Sequence, residues 1–233
     1  LTVRLRVLSG GAAQGVVTAL SEEFRTTTGY EIDATFGAVG AMKERLLGGA
    51  SADVLILTRA LIDELAGAGH VVRETAADLG RVRTGVAVRA GDPAPDVSTP
   101  GHLRGALRAA DAIYFPDPQR ATAGIHFAQV LARLGVAAEG GPRLSTHPNG
   151  ATAMRELAKA GGARPIGVTQ ITEILNTPGV TLVGPLPQEF ELATTYTAAV
   201  CARAAAPDAA RRLVALISGE ARRALREKAG FEL

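Results

Sequence analysis

The sequence predicts an α/β fold in which strands and helices alternate through two successive runs. Three observations predict it. Stretches such as Asp53–Leu57 are short and almost wholly apolar, as strands covered on both faces are. Apolar residues elsewhere recur at i, i+3, i+4 and i+7, as Phe127, Val130, Leu131 and Leu134 do, which marks one face of a helix. Three strand-to-helix junctions carry small residues: Ser9–Gln14, Gly37–Ala41 and Thr122–His126.

Taken in order, Val3–Leu8 reads as the first strand. Ala13, Val16, Val17, Leu20 and Phe24 then mark an amphipathic helix that Gly29 ends. Tyr30–Phe36 alternates as a strand, and a helix through Met42, Leu46 and Leu47 closes at Gly48-Gly49. After the strand at Asp53–Leu57, Leu61, Ile62 and Leu65 begin another helix. Val82–Ala90 is a further strand, and Gly91–Pro95 breaks the chain. The second run has a helix near His102–Leu107, the strand Ile113–Phe115, a helix from Ala123 and another over Ala151–Lys159. The strand Pro165–Val168, a short helix Gln170–Leu175 and the strand Val180–Val183 follow. Pro185-Leu186-Pro187 interrupts, Leu192–Cys201 is strand-like, and helices over 208–217 and 219–228 finish the chain.

The chain has 233 residues, 47% of them hydrophobic, enough for one large domain or two lobes with their own cores. No run is long and apolar enough to span a membrane. The chain opens directly on its first strand, so a secreted protein would have had its leader removed. The single cysteine, Cys201, excludes an internal disulfide and reads as a small buried hydrophobe. The net charge is +2, and the densest basic group (Arg211, Arg212, Arg222, Arg223, Arg226, Lys228) is mixed with Glu220 and Glu227. It reads as a solvated helix face, not a nucleic-acid surface. A phosphate-cradling loop, a Gly-x-Ser-x-Gly elbow and a His-Glu-x-x-His pair are all missing from the sequence, and the four histidines are scattered. Neither a metal nor another cofactor is therefore expected. His70 and His102 read as solvated, and His147 before Pro148 reads as a turn.

The segment from Ile113 to Leu134 organises the chemistry. Pro116 and Pro118 stop the strand, because proline offers no N–H to a sheet ladder. A helix then begins on Thr122-Ala123-Gly124. The free N–H groups of such a first turn attract an anion, and a glycine there lets the backbone come close. Three turns of this kind, at the carboxyl ends of strands, would make a cage of backbone donors.

The ordered motifs Glu23-Phe24 with Thr28-Gly29, Leu46-Leu47-Gly48-Gly49-Ala50-Ser51-Ala52-Asp53-Val54, Asp117-Pro118 with Ala123-Gly124-Ile125, and Ile166-Gly167-Val168 before Gln170 resemble the molybdate-binding periplasmic substrate-binding proteins of ABC importers. The resemblance implies a type II periplasmic binding fold: a two-lobed α/β structure, each lobe a mostly parallel sheet flanked by helices, with an interlobe ligand cleft. On that pattern lobe I is expected over 1–83 plus 193–233 and lobe II over 84–192. The strands near Val86 and Thr197 should cross between them. It further implies a periplasmic or cell-envelope location, a small anionic ligand, an ABC permease as partner, and a monomer.

Along the family pattern, the serine hydroxyl of the first loop falls near Ala12, that of the second at Ala38 or Val39, and the tyrosine hydroxyl at Gln170. Ser9 is the nearby hydroxyl, three residues early. The expected ligand set is Ser9, Gly10, Gly11, Ala12, Ala38, Val39, Thr122, Ala123, Gly124, His126, Asn149 and Gln170. The ligand is then a molybdate-like oxyanion or a small organic acid, and Gln170, His126 and Asn149 suit carboxylates at least as well as oxyanions. Some proteins resembling this family isomerise small tricarboxylic acids such as aconitate. On that alternative, His126 or Glu173 would move the allylic proton. Glu173, three residues after Gln170, otherwise faces water at helical spacing.

Overall fold

The computed structural model describes residues 3–136 and 141–233. The chain forms two compact units, the first from Leu1–Val82 with Thr194–Leu233 and the second from Arg83–Ala193. No described helix is long and apolar enough to cross a membrane.

Unit 1 begins with β1 (Val3–Gly10), α1 (Gln14–Thr28), β2 (Tyr30–Gly37), α2 (Val39–Leu47), β3 (Val54–Thr58) and α3 (Arg59–Gly67). Strand β4 (Ala77–Arg89) starts in this unit and runs into the next. β1 pairs in parallel with β2, from Val3↔Tyr30 to Gly10↔Gly37, and with β3 on its other side. The apolar face foreseen for α1 is the one that packs: Val16, Val17, Leu20 and Phe24 are buried. Burying a large apolar side chain is worth about 1.5–3 kcal/mol, so this face outweighs the helix's weak intrinsic propensity. Gly29 ends α1 at φ 77°, and its N–H bonds the Arg25 carbonyl.

Unit 2 continues with α4 (Pro100–Ala109), β5 (Ala112–Pro116), α5 (Thr122–Leu134), β6 (Arg143–His147), α6 (Gly150–Ala158), β7 (Ile166–Gln170), α7 (Ile171–Leu175) and β8 (Val180–Pro185). The sheet order is β4-β7-β5-β6, with β5 parallel to β6 and β7, and with β4 antiparallel to both β7 and β8. Chain neighbours fall in different cores. Val86, Phe115, Val168 and Phe127 join one apolar cluster, whereas Ala87, Tyr114, Met154 and Leu157 join another. This is a sheet packed on both faces, its side chains alternating along each strand. The α5 helix covers the first face and α6 the second.

The chain then returns to unit 1 through β9 (Ala193–Val200), α8 (Pro207–Ser218) and α9 (Arg223–Lys228). β9 lies antiparallel to β3, Val54↔Val200 through Thr58↔Tyr196. Asp53 ties this return down. Its carboxylate is 3% exposed and accepts the N–H groups of Arg6, Ala205 and Ala206 at 2.8, 2.7 and 3.1 Å.

Three expectations need correcting. His147 is not a turn residue but the end of β6, a strand the sequence pattern missed, and its ring stacks on Tyr114 at 5.9 Å. β6 is polar and half exposed, so it shows no apolar alternation to read. Strand β4 begins five residues before the expected Val82. Arg226 is not on a solvated face; it is 4% exposed and donates to the carbonyls of Ile217 and Gly219 at 3.0 and 2.7 Å, closing the end of α8. Cys201 is buried as expected, and burial pushes its thiol pKa up to about 12.

Candidate functional site

The three small-residue turns share a feature that the other described helices of eight residues or more lack at their starts. Helices α3, α4 and α6 are capped by the side chains of Thr58, Thr99 and Asn149. Helix α8 opens on Pro207 with Asp208 in its first turn. Helices α1, α2 and α5 have neither a side-chain cap nor an acidic residue in the first turn. The first N–H groups of a helix have no partner within it, and roughly half a positive charge gathers there. Among the described helices of eight residues or more, the chain thus leaves three N-termini without such partners, and these follow the turns singled out in the sequence.

In unit 1 the β1–α1 and β2–α2 turns lie side by side, because Gly10 and Gly37 are paired in register. Gly11, Ala12 and Ala13 form one buried turn of 3₁₀ helix leading into α1. Ala38 holds the N-cap position of α2 in extended geometry, and Val39 follows, buried. A side chain on Gly10 would overlap Val39 and press on the Tyr196 ring. The structure therefore brings Ser9, Gly10, Gly11, Ala12, Ala38 and Val39 to one end of the unit 1 sheet. Ser9 does not offer its proton outward: the buried hydroxyl donates to the Gly10 carbonyl at 2.8 Å.

In unit 2 the sequence-predicted residues divide between the two faces of the sheet. Thr122, Ala123 and Gly124 form the first turn of α5, with Ala121 at its cap position. Gly124 serves packing there. A Cβ at this position would run into the carbonyls of Pro116 and Asp117, so glycine is needed for the helix to sit on its own entry loop. His126 is anchored nearby, its Nε2 donating to the Phe190 carbonyl at 2.7 Å. A carbonyl can only accept, so in the neutral ring the lone pair is on Nδ1. Gln170 ends β7 opposite Thr84 of β4. Directly opposed residues share a sheet face. The next pair along that face is Val86↔Val168, packed with Phe127 of α5. Gln170 thus lies on the α5 face, at the strand end where α5 begins. It is 3% exposed, and neither its amide oxygen nor its amide nitrogen has a hydrogen-bond partner. The hydroxyls of Thr84 and Thr172, 1% and 3% exposed, are also unpartnered. The sequence reading did not single out these two threonines; the strand register is what places Thr84 beside Gln170.

Asn149 and Glu173 belong to the other face. The Asn149 side chain is spent on the α6 cap, its Oδ1 accepting from Thr152 N–H at 2.8 Å. Glu173 does not face water. It is 6% exposed, accepts the Thr169 hydroxyl at 2.6 Å, and takes backbone N–H bonds from Ala151 and Gln170. A Cβ on Gly150 would overlap this carboxyl and Thr169 Oγ1. The Glu173 carboxyl thus occupies the start of α6. Burial raises its pKa above the ordinary carboxylate value, against the lowering effect of the three donors. No group of three or more metal-ligating side chains occurs among the described residues. Two cavities lie away from these turns: one of about 430 Å³ in unit 1 beside His70 and Cys201, and one of about 240 Å³ in unit 2 beside Pro93 and Ile166.

Comparison with known proteins adds four findings. The fold matches the periplasmic molybdate-binding protein of Azotobacter vinelandii with a TM-score of 0.81 at 19% identity, over 98% of this chain and 99% of that one. It also matches the sulfate-binding protein SubI of Mycobacterium tuberculosis, TM-score 0.73 at 18% identity, over 98% and 86%. In sequence, an aconitate isomerase from a Pseudomonas species is 28% identical over 225 residues, 93% of this chain and 82% of that protein. The two structural likenesses, at such low identity, are likenesses of fold. A family model for the bacterial extracellular solute-binding proteins matches residues 5–232, and the chain belongs to that family.

Proposed function

We propose that this protein binds a small organic acid at helix N-termini and delivers it to an ABC permease in the bacterial periplasm. The observation that carries the reading is the set of uncapped, acid-free helix starts at α1, α2 and α5. The binding elements are the turns Ser9–Ala12 and Ala38–Val39 in unit 1, and Thr122–Gly124 with Gln170 in unit 2. A carboxylate presents two oxygens in a plane, which paired first-turn N–H groups can satisfy. A tetrahedral oxyanion has four oxygens to satisfy, and each buried one left bare costs about 1–3 kcal/mol. Ala12, Ala38 and Val39 supply no side-chain donor, and the Ser9 proton is already committed. These replacements favour carboxylate over molybdate.

A thermal-shift screen of molybdate, tungstate, sulfate, phosphate, citrate and both aconitates tests this. At a hundredfold excess over Kd a ligand adds about 2.7 kcal/mol, a clear rise in Tm. A rise with the organic acids is expected. A rise with molybdate or tungstate alone would overturn the carboxylate reading.

The similarity to an aconitate isomerase supports a second reading, catalysis on the same scaffold. Moving the double bond needs a base to take the allylic proton and its conjugate acid to return a proton at the other end of the allyl system. His126 Nδ1 carries the free lone pair, while Glu173 is enclosed against Thr169. On this reading, NMR of cis-aconitate incubated with the protein shows the trans isomer appearing, and His126→Asn stops it. Binding without conversion would leave transport as the function.

A further inference from the structure

We infer that unit 2 selects a ligand carrying a hydroxyl beside a carboxylate, a hydroxycarboxylic acid, and that Gln170 and Thr84 read the hydroxyl. The inference rests on the carboxylate reading above and narrows it. A primary amide offers two N–H donors on its nitrogen and two lone pairs on its oxygen, whichever way round it is assigned. Both ends of Gln170 are buried and unpartnered. A buried polar atom without a partner is costly, so native proteins rarely keep one without a reason.

A fully ionised sulfate or molybdate has acceptors only. It would satisfy the Gln170 Nε2 donor but would meet the Oε1 lone pairs with its own negative oxygens. A plain carboxylate has the same defect. A hydroxyl next to a carboxylate offers a donor and an acceptor on oxygens carried by neighbouring carbons, which can face the oxygen and the nitrogen of one amide. Thr84, opposite Gln170 in register and likewise unpartnered, can take whichever lone pair or proton the hydroxyl leaves over. The first turn of α5 begins at the same strand end and supplies positive potential for the carboxylate. Its neighbourhood is fixed by two bonds: His126 to the Phe190 carbonyl, and Thr84 N–H to the Leu192 carbonyl at 3.0 Å. Both acceptors lie in one three-residue stretch, so the α5 first turn and Thr84 are tied to the same segment.

Two ligand pairs isolate the hydroxyl. Citrate and tricarballylate differ only by it, as do malate and succinate. Isothermal titration of the intact protein with all four should show the hydroxylated member of the binding pair at least about tenfold tighter, since a site built for a hydroxyl penalises its absence. Gln170→Met, similar in volume and without donors, should erase the difference while keeping or raising the ligand-free Tm. Equal affinities within both pairs would overturn the inference and leave the carboxylate reading standing. So would a Gln170→Met protein that still discriminates. If Gln170→Met does not fold, the wild-type comparison decides alone. If neither pair binds while molybdate or sulfate does, the carboxylate reading falls and this inference with it.

Discussion

A carboxyl shut away from water in unit 2 makes the stability of this protein depend on pH. Glu173 titrates above the ordinary carboxylate range because it is buried. An unfolded glutamate ionises at about 4.3. Between that pH and the higher folded value, the folded chain holds a proton that the unfolded chain has lost. Stability is therefore fully present below the unfolded pKa and falls as pH rises through the window. Glu173→Gln stays neutral throughout and keeps an acceptor for the Thr169 hydroxyl and the Ala151 N–H. Its Tm should gain on wild type as pH rises from 4 to 8, and a parallel Tm–pH profile for the two would show that Glu173 stays ionised in the fold. None of this was legible in the sequence. The spacing from Gln170 places Glu173 on α7 but is silent about Gly150, whose missing side chain makes the room. The same applies to Gly124. The sequence marks it as a close approach of backbone to ligand, and the structure assigns the closeness to the Pro116 and Asp117 carbonyls. Gly124→Val should thus lower the ligand-free Tm, an effect no ligand contact could produce, and a calorimetric scan without ligand checks it.

At the scale of elements, the strongly periodic segments were readable and the polar ones were not. α1 and α5 show their buried faces as apolar stripes, and β3 is short, apolar and fully buried. β6 carries Arg143, Ser145, Thr146 and His147 around one leucine, and its identity as a strand comes from pairing with β5. Capping was half legible. Small residues before α1, α2 and α5 suggested open helix ends, but their meaning appears only beside the capped starts of α3, α4 and α6. Ala38→Asp tests that meaning. A carboxylate at the N-cap of α2 would accept the N–H groups now left open, worth about 0.5–2 kcal/mol against alanine. It would also put a fixed negative charge where the anion is proposed to bind. The variant should be more heat-stable than wild type in the absence of ligand and should bind the best ligand of the screen at least about tenfold more weakly. A variant that binds normally would remove α2 from the proposed ligand set.

For the whole molecule, the order of the chain makes the two units unequal. Unit 2 is one continuous stretch, Arg83–Ala193. It contains every strand of its sheet apart from the first residues of β4, and both its apolar clusters lie within it. Unit 1 is assembled from the two ends of the chain, and its N-terminal part cannot finish a core alone. β3 needs β9 as its antiparallel neighbour. The buried side chains of Ala210, Leu213, Val214, Ile217 and Phe231, all from the C-terminal part, sit in the same cluster as Leu5, Val16 and Phe24. Asp53 adds a polar dependence, since two of its three N–H donors come from Ala205 and Ala206. Two fragments should therefore behave differently. Residues 83–193 expressed alone should fold, giving dispersed amide resonances and a cooperative urea transition. Residues 1–82 alone should not, because β3 would present an open apolar edge and the Asp53 carboxylate would lose most of its partners, each worth about 1.5–3 kcal/mol as a charged hydrogen bond. Adding residues 194–233 in trans should restore dispersion to the N-terminal fragment. A folded, cooperative 1–82 fragment would mean that the core of unit 1 is complete without its C-terminal half.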